Sequence, residues 1–110
     1  MSTRTPEIDI EQLDRAESVD VTVIDVRERS EYVAGHVPGA ELLSMTQISF
    51  RLDETDKARP VYVLCASGNR SAAMTDLLVA AGYDAYSVAG GTAAWARSGR
   101  PLETGVPTTR

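Results

Sequence analysis

The chain has 110 residues, enough for one compact domain with its own core. With 43% apolar and 25% charged residues it has the composition of a folded globular protein, not a disordered or fibrous one. A formal net charge of −5 argues against general nucleic-acid binding. No apolar run approaches a membrane span, and the N-terminus Met1-Ser2-Thr3-Arg4-Thr5-Pro6-Glu7 has no apolar core of a secretion signal. A soluble cytoplasmic protein without nucleic-acid or membrane partners is therefore expected. One cysteine cannot form an internal disulfide, and with one histidine beside it neither a metal site nor a cofactor is expected.

Residues 1–6 read as a tail, 7–101 as a single domain and 102–110 as a second tail. Glu7-Ile8 is a short edge strand. Asp9 has the character of an N-cap, with Gln12 as its reciprocal partner, opening a short helix with Ile10, Leu13 and Ala16 on its apolar face. Val21 to Val26 is β-branched and nearly continuous in apolar character, as in a strand covered on both faces. It ends with a carboxylate and a guanidinium, Asp25 and Arg27. Glu28 to Ala34 predicts a helix that buries Tyr32, stopped by Gly35, and Gly35-His36-Val37-Pro38-Gly39-Ala40 predicts a turn. Ala40 to Leu43 is a further short strand. Ser44-Met45-Thr46-Gln47 has a capping-box pattern ahead of Met45, Ile48 and Leu52.

After the polar connection Asp53 to Arg59, Pro60 starts the strand Val61-Tyr62-Val63-Leu64 at a tolerated position. A helix is expected from Ser71 to Ala81, with Ala73, Met74, Leu77, Leu78 and Ala81 on its core stripe and Gly82 and Tyr83 closing it. Ala85 to Val88 is the last strand. Ala89-Gly90-Gly91 turns into a short helix that buries Trp95. Alternating strands and helices imply an α/β fold with a largely parallel sheet and helices on both faces, whose ligands bind outside the carboxyl ends of the strands.

Cys65 lies where such a ligand would bind, between an apolar strand and a helix start, in Cys65-Ala66-Ser67-Gly68-Asn69-Arg70-Ser71. A helix start presents unpaired N–H groups and the positive end of the dipole. A loop of small residues turns further N–H groups inward, and Gly68 supplies the freedom for close approach. A thiol in that cradle ionises more readily than a free cysteine, whose pKa is about 8.5. Without a second cysteine, any cycle through this sulfur must be completed by an external nucleophile.

These pieces resemble the single-domain rhodanese (thiosulfate sulfurtransferase) family. The resemblance rests on Ile24-Asp25-Val26-Arg27, Glu31-Tyr32 and Gly35 to Ala40, then on Val63 to Ser71, Gly90-Gly91 and Ala94-Trp95. It spans about residues 8 to 100. It implies a five-stranded parallel sheet flanked by helices. It also implies that Cys65 carries a sulfane sulfur as a persulfide, cradled by Ala66, Ser67, Gly68, Asn69 and Arg70. The expected partners are a small-molecule sulfur donor, thiosulfate or a persulfide, and cyanide or a thiol as acceptor. A sulfur-carrier protein is a further candidate partner.

For Arg70, two roles stay open: binding an anionic donor, or fixing the loop through an ion pair. Asp25 and Arg27 are expected behind the site, orienting its turns. His36, among glycine and proline, reads as a turn residue with a satisfied hydrogen bond and Trp95 as core, while Ser71, also counted with the persulfide-binding loop, either caps the helix, the commoner use, or donates to the sulfur. A cysteine phosphatase or arsenate reductase competes poorly, because only four residues separate Cys65 from Arg70, a short loop for a tetrahedral oxyanion. A protein-binding module, a persulfide relay without turnover, and redox sensing by Cys65 also compete with sulfur transfer.

Overall fold

Among the described residues five strands alternate with five α-helices: β1 (Glu7–Ile8), α1 (Ile10–Arg15), β2 (Thr22–Asp25), α2 (Arg29–Ala34), β3 (Glu41–Leu42), α3 (Ile48–Arg51, continued by a 3-10 turn, Leu52–Glu54), β4 (Val61–Leu64), α4 (Asn69–Ala80), β5 (Ala85–Val88) and α5 (Gly91–Arg97). The structure, a computed structural model, describes residues 4–16 and 20–106, so the outer ends of the two expected tails, 1–3 and 107–110, lie outside the described residues. All strand pairs are parallel, in the order β1-β5-β4-β2-β3. The sequence expectation of a five-stranded parallel sheet holds.

The two-residue period of the strands divides the core into two layers. Ile24, Val61, Val63, Cys65 and Ala85 face one way and pack with Ile48 of α3, Leu78 of α4 and Tyr83. Leu64 and Val88 face the other way and pack with Leu13 of α1, Trp95 of α5 and Val37. Helices therefore cover both faces, which is why β2 and β4 read as nearly unbroken apolar runs.

Local signals act as expected at several helix ends. Asp9 accepts from the Gln12 N–H at 2.8 Å while the Gln12 side chain accepts from the Asp9 N–H at 3.0 Å, a full capping box. At the end of α4 the Gly82 N–H donates to the Val79 carbonyl and the Tyr83 N–H to the Leu78 carbonyl, both at 3.0 Å, with Gly82 at φ +95°. This is a Schellman closure, and the Tyr83 and Leu78 side chains share the core cluster beside it. Trp95 is buried, and its indole N–H donates to the Pro101 carbonyl at 2.7 Å.

Elsewhere the structure corrects the sequence reading. The Ser44 capping box does not form: the Gln47 and Ile48 N–H groups donate to the Ser44 backbone carbonyl, and the Ser44 hydroxyl pairs with Thr46 at 3.2 Å. Residues 45–47 are turn, and α3 starts at Ile48. α4 starts at Asn69, two residues before the expected Ser71, because Gly68 at φ +113° turns the chain into the helix. Its buried face is Ser71, Thr75 and Leu78, and Met74 and Ala81 of the expected stripe pack against the same core, whereas Ala73 and Leu77 are exposed. The stripe is rotated because two polar residues, invisible to an apolar pattern, face the core.

The C-terminal stretch is also anchored instead of trailing from residue 102. His36 and Glu103 exchange backbone hydrogen bonds of 2.8 Å in both directions, and the Gly105 N–H donates to the Val33 carbonyl at 3.0 Å. Thr5 at the other end donates to the Asp76 carboxylate at 2.8 Å.

The rotated face of α4 is testable by truncation. Leu78→Ala should destabilise the fold by about 2–5 kcal/mol, as for other buried leucines, while Leu77→Ala should cost less than about 1 kcal/mol. Urea unfolding midpoints of the two variants decide it; equal losses would return the apolar stripe to its expected place.

Candidate functional site

β4 is the central strand, and the chain changes direction there: β2 leads outward to β3 on one side, β4 to β5 on the other. A crevice at the carboxyl ends of β2 and β4 follows from that switch. Asp25 pairs in register with Leu64, and the Val26 N–H donates to the Leu64 carbonyl at 2.9 Å. Cys65 is thus level with Val26 and shares its core layer, one residue beyond the Asp25–Leu64 pair.

Cys65 is buried, 1% exposed, beneath the loop that follows it. The Gly68 N–H donates to its Sγ at 3.0 Å, and the Ser71 hydroxyl lies 3.4 Å away. Burial alone would push the thiol pKa up. The Ser71 hydroxyl and the N–H groups of Ser71, Gly68 and Ser67 outweigh burial, and the net shift is downward from the ordinary thiol value. Ser71 is therefore not the helix cap. It is the third residue of α4, its hydroxyl facing the sulfur and the Gly68 carbonyl, while glycine occupies the cap position. Ser67 and Asn69 lie on the exposed rim, with Ala66 and Gly68 half-buried between them.

The loop is held from behind. The Thr92 N–H donates to the Cys65 carbonyl and the Ala93 N–H to the Ala66 carbonyl, each at 2.9 Å. These are first-turn donors of α5 that no helical carbonyl could take. Such contact requires glycine at position 91: a Cβ there would sit 2.4 Å from the Cys65 carbonyl oxygen and 2.8 Å from that of Ala66.

Arg70 is engaged by a carboxylate, not by the sulfur. Its guanidinium makes a two-pronged ion pair with Glu31, at 2.8 and 2.9 Å, tying α4 to α2. The Arg70 hydrogen bond brings the Glu31 carboxyl down from 4.5 to about 2, and Glu31 in return raises Arg70 above its usual range. Of the two roles left open for Arg70, this geometry supplies the ion pair.

Asp25 and Arg27 form their own buried pair. Arg27 Nη2 donates to Asp25 at 2.8 Å and to the Gly35 carbonyl at 2.8 Å, fixing the turn after α2. Neither approaches the sulfur through a hydrogen bond. His36 stacks on Tyr32 with ring centroids 3.7 Å apart, and its Nδ1 is 2.8 Å from the Tyr32 carbonyl oxygen, so it belongs to the turn. A surface cleft runs along β3, past Tyr32, His36 and Arg51, and Cys65 is not among its lining residues.

Two residues of the site carry no clear signal in the sequence. Glu31 is visible there only as part of a motif, with nothing to say that it meets Arg70. Ser87, fully buried on β5, lies 2.7 Å from the Ser71 hydroxyl. Its one signal is a lone serine in a strand otherwise built for burial. No group of three or more histidine, cysteine or carboxylate side chains suited to a metal occurs among the described residues.

Gly91→Ala should destabilise the fold by more than about 1 kcal/mol, because φ is +57° there and the added methyl meets backbone oxygens. It should also slow alkylation of Cys65 by iodoacetamide, since the N–H groups around the sulfur lose their anchor; an unchanged rate would detach the cradle from α5. The Glu31 pair carries a pH signature. A carboxyl whose pKa falls from 4.5 to about 2 on folding stabilises the fold above 4.5 and loses that contribution as pH drops towards 2. The stability gap between the natural protein and Glu31→Gln should be constant above about pH 5 and close towards pH 2 in urea titrations.

Comparison with known proteins identifies the family. The model of the rhodanese-like domain matches residues 10–98. Thiosulfate sulfurtransferase GlpE of Pseudoalteromonas translucida is 36% identical over 84 residues, covering 76% of this chain and 80% of that protein. A sulfurtransferase of Allochromatium vinosum is 38% identical over 99 residues, covering 87% and 92%. The crystal structure of a rhodanese-related protein from Thermoplasma volcanium superposes with a TM-score of 0.83 at 28% identity, covering 89% of this chain and 97% of that one. With a cysteine cradled at the end of the central strand and a family model matching most of its length, this chain belongs to the rhodanese-like domain family.

Proposed function

We propose that the protein is a sulfurtransferase that moves a sulfane sulfur through a persulfide on Cys65. The observation that carries this is the convergence of backbone N–H groups and the Ser71 hydroxyl on a single buried sulfur. The relatives named as sulfurtransferases support the same reading.

In the first half-reaction the Cys65 thiolate attacks the outer sulfur of thiosulfate. A new S–S bond forms on Cys65, the S–S bond of the donor breaks, and sulfite leaves with its electron pair. The persulfide carries the negative charge on its outer sulfur, and the loop N–H groups of residues 66–70 are the donors available to it. Cyanide or a thiolate then attacks that outer sulfur and the Cys65 thiolate leaves, which predicts ping-pong kinetics. No general base is needed for a thiol that is already ionised.

The loop also bears on the choice of donor. Its one cation, Arg70, already commits both prongs to Glu31, and Ala66, Ser67 and Asn69 are neutral. That favours a second reading in which a low-molecular-weight or protein persulfide loads Cys65 and the protein relays sulfur to a partner.

Intact-protein mass spectrometry after incubation with thiosulfate tests the proposal. The expected result is a gain of one sulfur that is absent in Cys65→Ser and removed by cyanide. Loading by a persulfide but not by thiosulfate would select the relay. Failure with every sulfur donor would overturn sulfur transfer altogether.

A further inference from the structure

Behind Ser71 stands a residue to which the proposed chemistry gives no part. Ser87 lies in the middle of β5, 0% exposed, next to Val88 and Tyr86. A hydroxyl so placed must find its hydrogen bond inside the protein. Its side-chain partner among the described residues is Ser71, with the two oxygens 2.7 Å apart.

Ser71 has one hydroxyl proton and three acceptors around it: Ser87 Oγ at 2.7 Å, the Gly68 carbonyl at 3.1 Å and Cys65 Sγ at 3.4 Å. If Ser71 gave its proton to Ser87, its hydroxyl would turn only lone pairs to the sulfur, leaving the backbone N–H groups as the donors there. If Ser87 donates instead, the Ser71 proton is free to turn to the sulfur, and the two hydroxyls polarise each other in the same direction.

We infer that Ser87 is a positioning residue for Cys65: its hydroxyl donates to Ser71 Oγ and commits the Ser71 proton to the sulfur whenever the sulfur is negative. This rests on the reading of Cys65 as the reacting nucleophile. When Cys65 is a neutral thiol, its S–H donates to Ser71 Oγ and the Ser71 proton turns to the Gly68 carbonyl. Ionisation releases the thiol proton to solvent and the Ser71 hydroxyl rotates back. The same chain then faces the inner sulfur of a persulfide.

The other groups around the sulfur are accounted for. From α4 comes Arg70, paired to Glu31 of α2; from the end of β2 come Asp25 and Arg27, paired to each other. Residues 66–69 and Ser87 carry no charge. A change at Ser87 therefore leaves the local charges in place and alters only the hydroxyl chain.

The test is the pH dependence of iodoacetamide alkylation of Cys65 in the full chain, read by intact mass. Ser87→Ala should raise the midpoint by about half a pH unit, making alkylation about threefold slower below it. Ser71→Ala should raise it further, and adding Ser87→Ala to Ser71→Ala should change nothing more. Ser87→Thr, which keeps the hydroxyl, should titrate like the natural protein. Thermal melts check folding, and Ser87→Gly is the second hydroxyl deletion should Ser87→Ala fail to fold. An unchanged midpoint in the deletions, an additive shift in the double variant, or a Thr variant displaced as far as Ala would each overturn the assignment. The assay uses no sulfur donor, so a shifted midpoint supports the hydroxyl chain even if no persulfide ever forms.

Discussion

The site depends on one close contact between backbones: the N-terminus of α5 against the carbonyls of Cys65 and Ala66. Every buried peptide group must place both its donor and its acceptor. By taking the two carbonyls at 2.9 Å from behind, Thr92 and Ala93 leave the loop free to turn N–H groups the other way, towards the sulfur. The contact exists only because residue 91 has no side chain. Gly91 is far from Cys65 in sequence, yet it fixes the polarity of the cradle. The parallel sheet makes this possible, since β4 and β5 are neighbours and the segments following them leave at the same end.

The polar residues of the core form the second part of the same device. α4 turns Ser71 and Thr75 inward beside Leu78, and β5 turns Ser87 inward to meet Ser71. An apolar core would be easier to stabilise, because a buried hydroxyl gains only where its hydrogen bond is complete. Here the Ser87 and Ser71 hydroxyls end on a sulfur atom while Thr75 Oγ1 is buried without a hydrogen-bond partner, and the inward serine and threonine shift the helix by part of a turn relative to the stripe that leucine and alanine alone describe. The packing of α4 thus reflects the chemistry at its N-terminus as well as the demand for burial.

Much of this is legible in the sequence. The strands Val61–Leu64 and Ala85–Val88, the box at Asp9 and Gln12, the closure at Gly82 and the cysteine loop all carry local signals, set by alternation, capping chemistry and glycine. What escapes the sequence is non-local or ambiguous in period. Ser44-Met45-Thr46-Gln47 contains the right letters for a capping box, but the backbone of Ser44 is taken by a turn. Glu31 and Arg70 are 39 residues apart and their pairing depends on the docking of α2 beside α4. The strand-like pairing of Glu103 with His36 has no pattern of its own, because a single bridge needs neither alternation nor β-branched residues.

A protein of net charge −5 that stabilises an anionic sulfur has two physical routes: place cations beside it, or surround it with fixed dipoles. The arrangement around Cys65 follows the second. Arg70 is matched by Glu31 and Arg27 by Asp25, so each nearby cation is offset by a carboxylate at 2.8 Å. What remains uncompensated is the set of N–H groups of the loop and α4, together with the Ser71 hydroxyl. Dipoles at contact distance act over a few ångströms and are hardly screened by salt, whereas an open cationic mouth would draw any dianion from solution and weaken as ionic strength rose. A dipolar cradle discriminates by shape and reach: it favours an atom that fits among the N–H groups, whatever molecule delivered it. That suits the sulfur transfer proposed for Cys65, in which the one part every donor and acceptor would share is the single atom being passed.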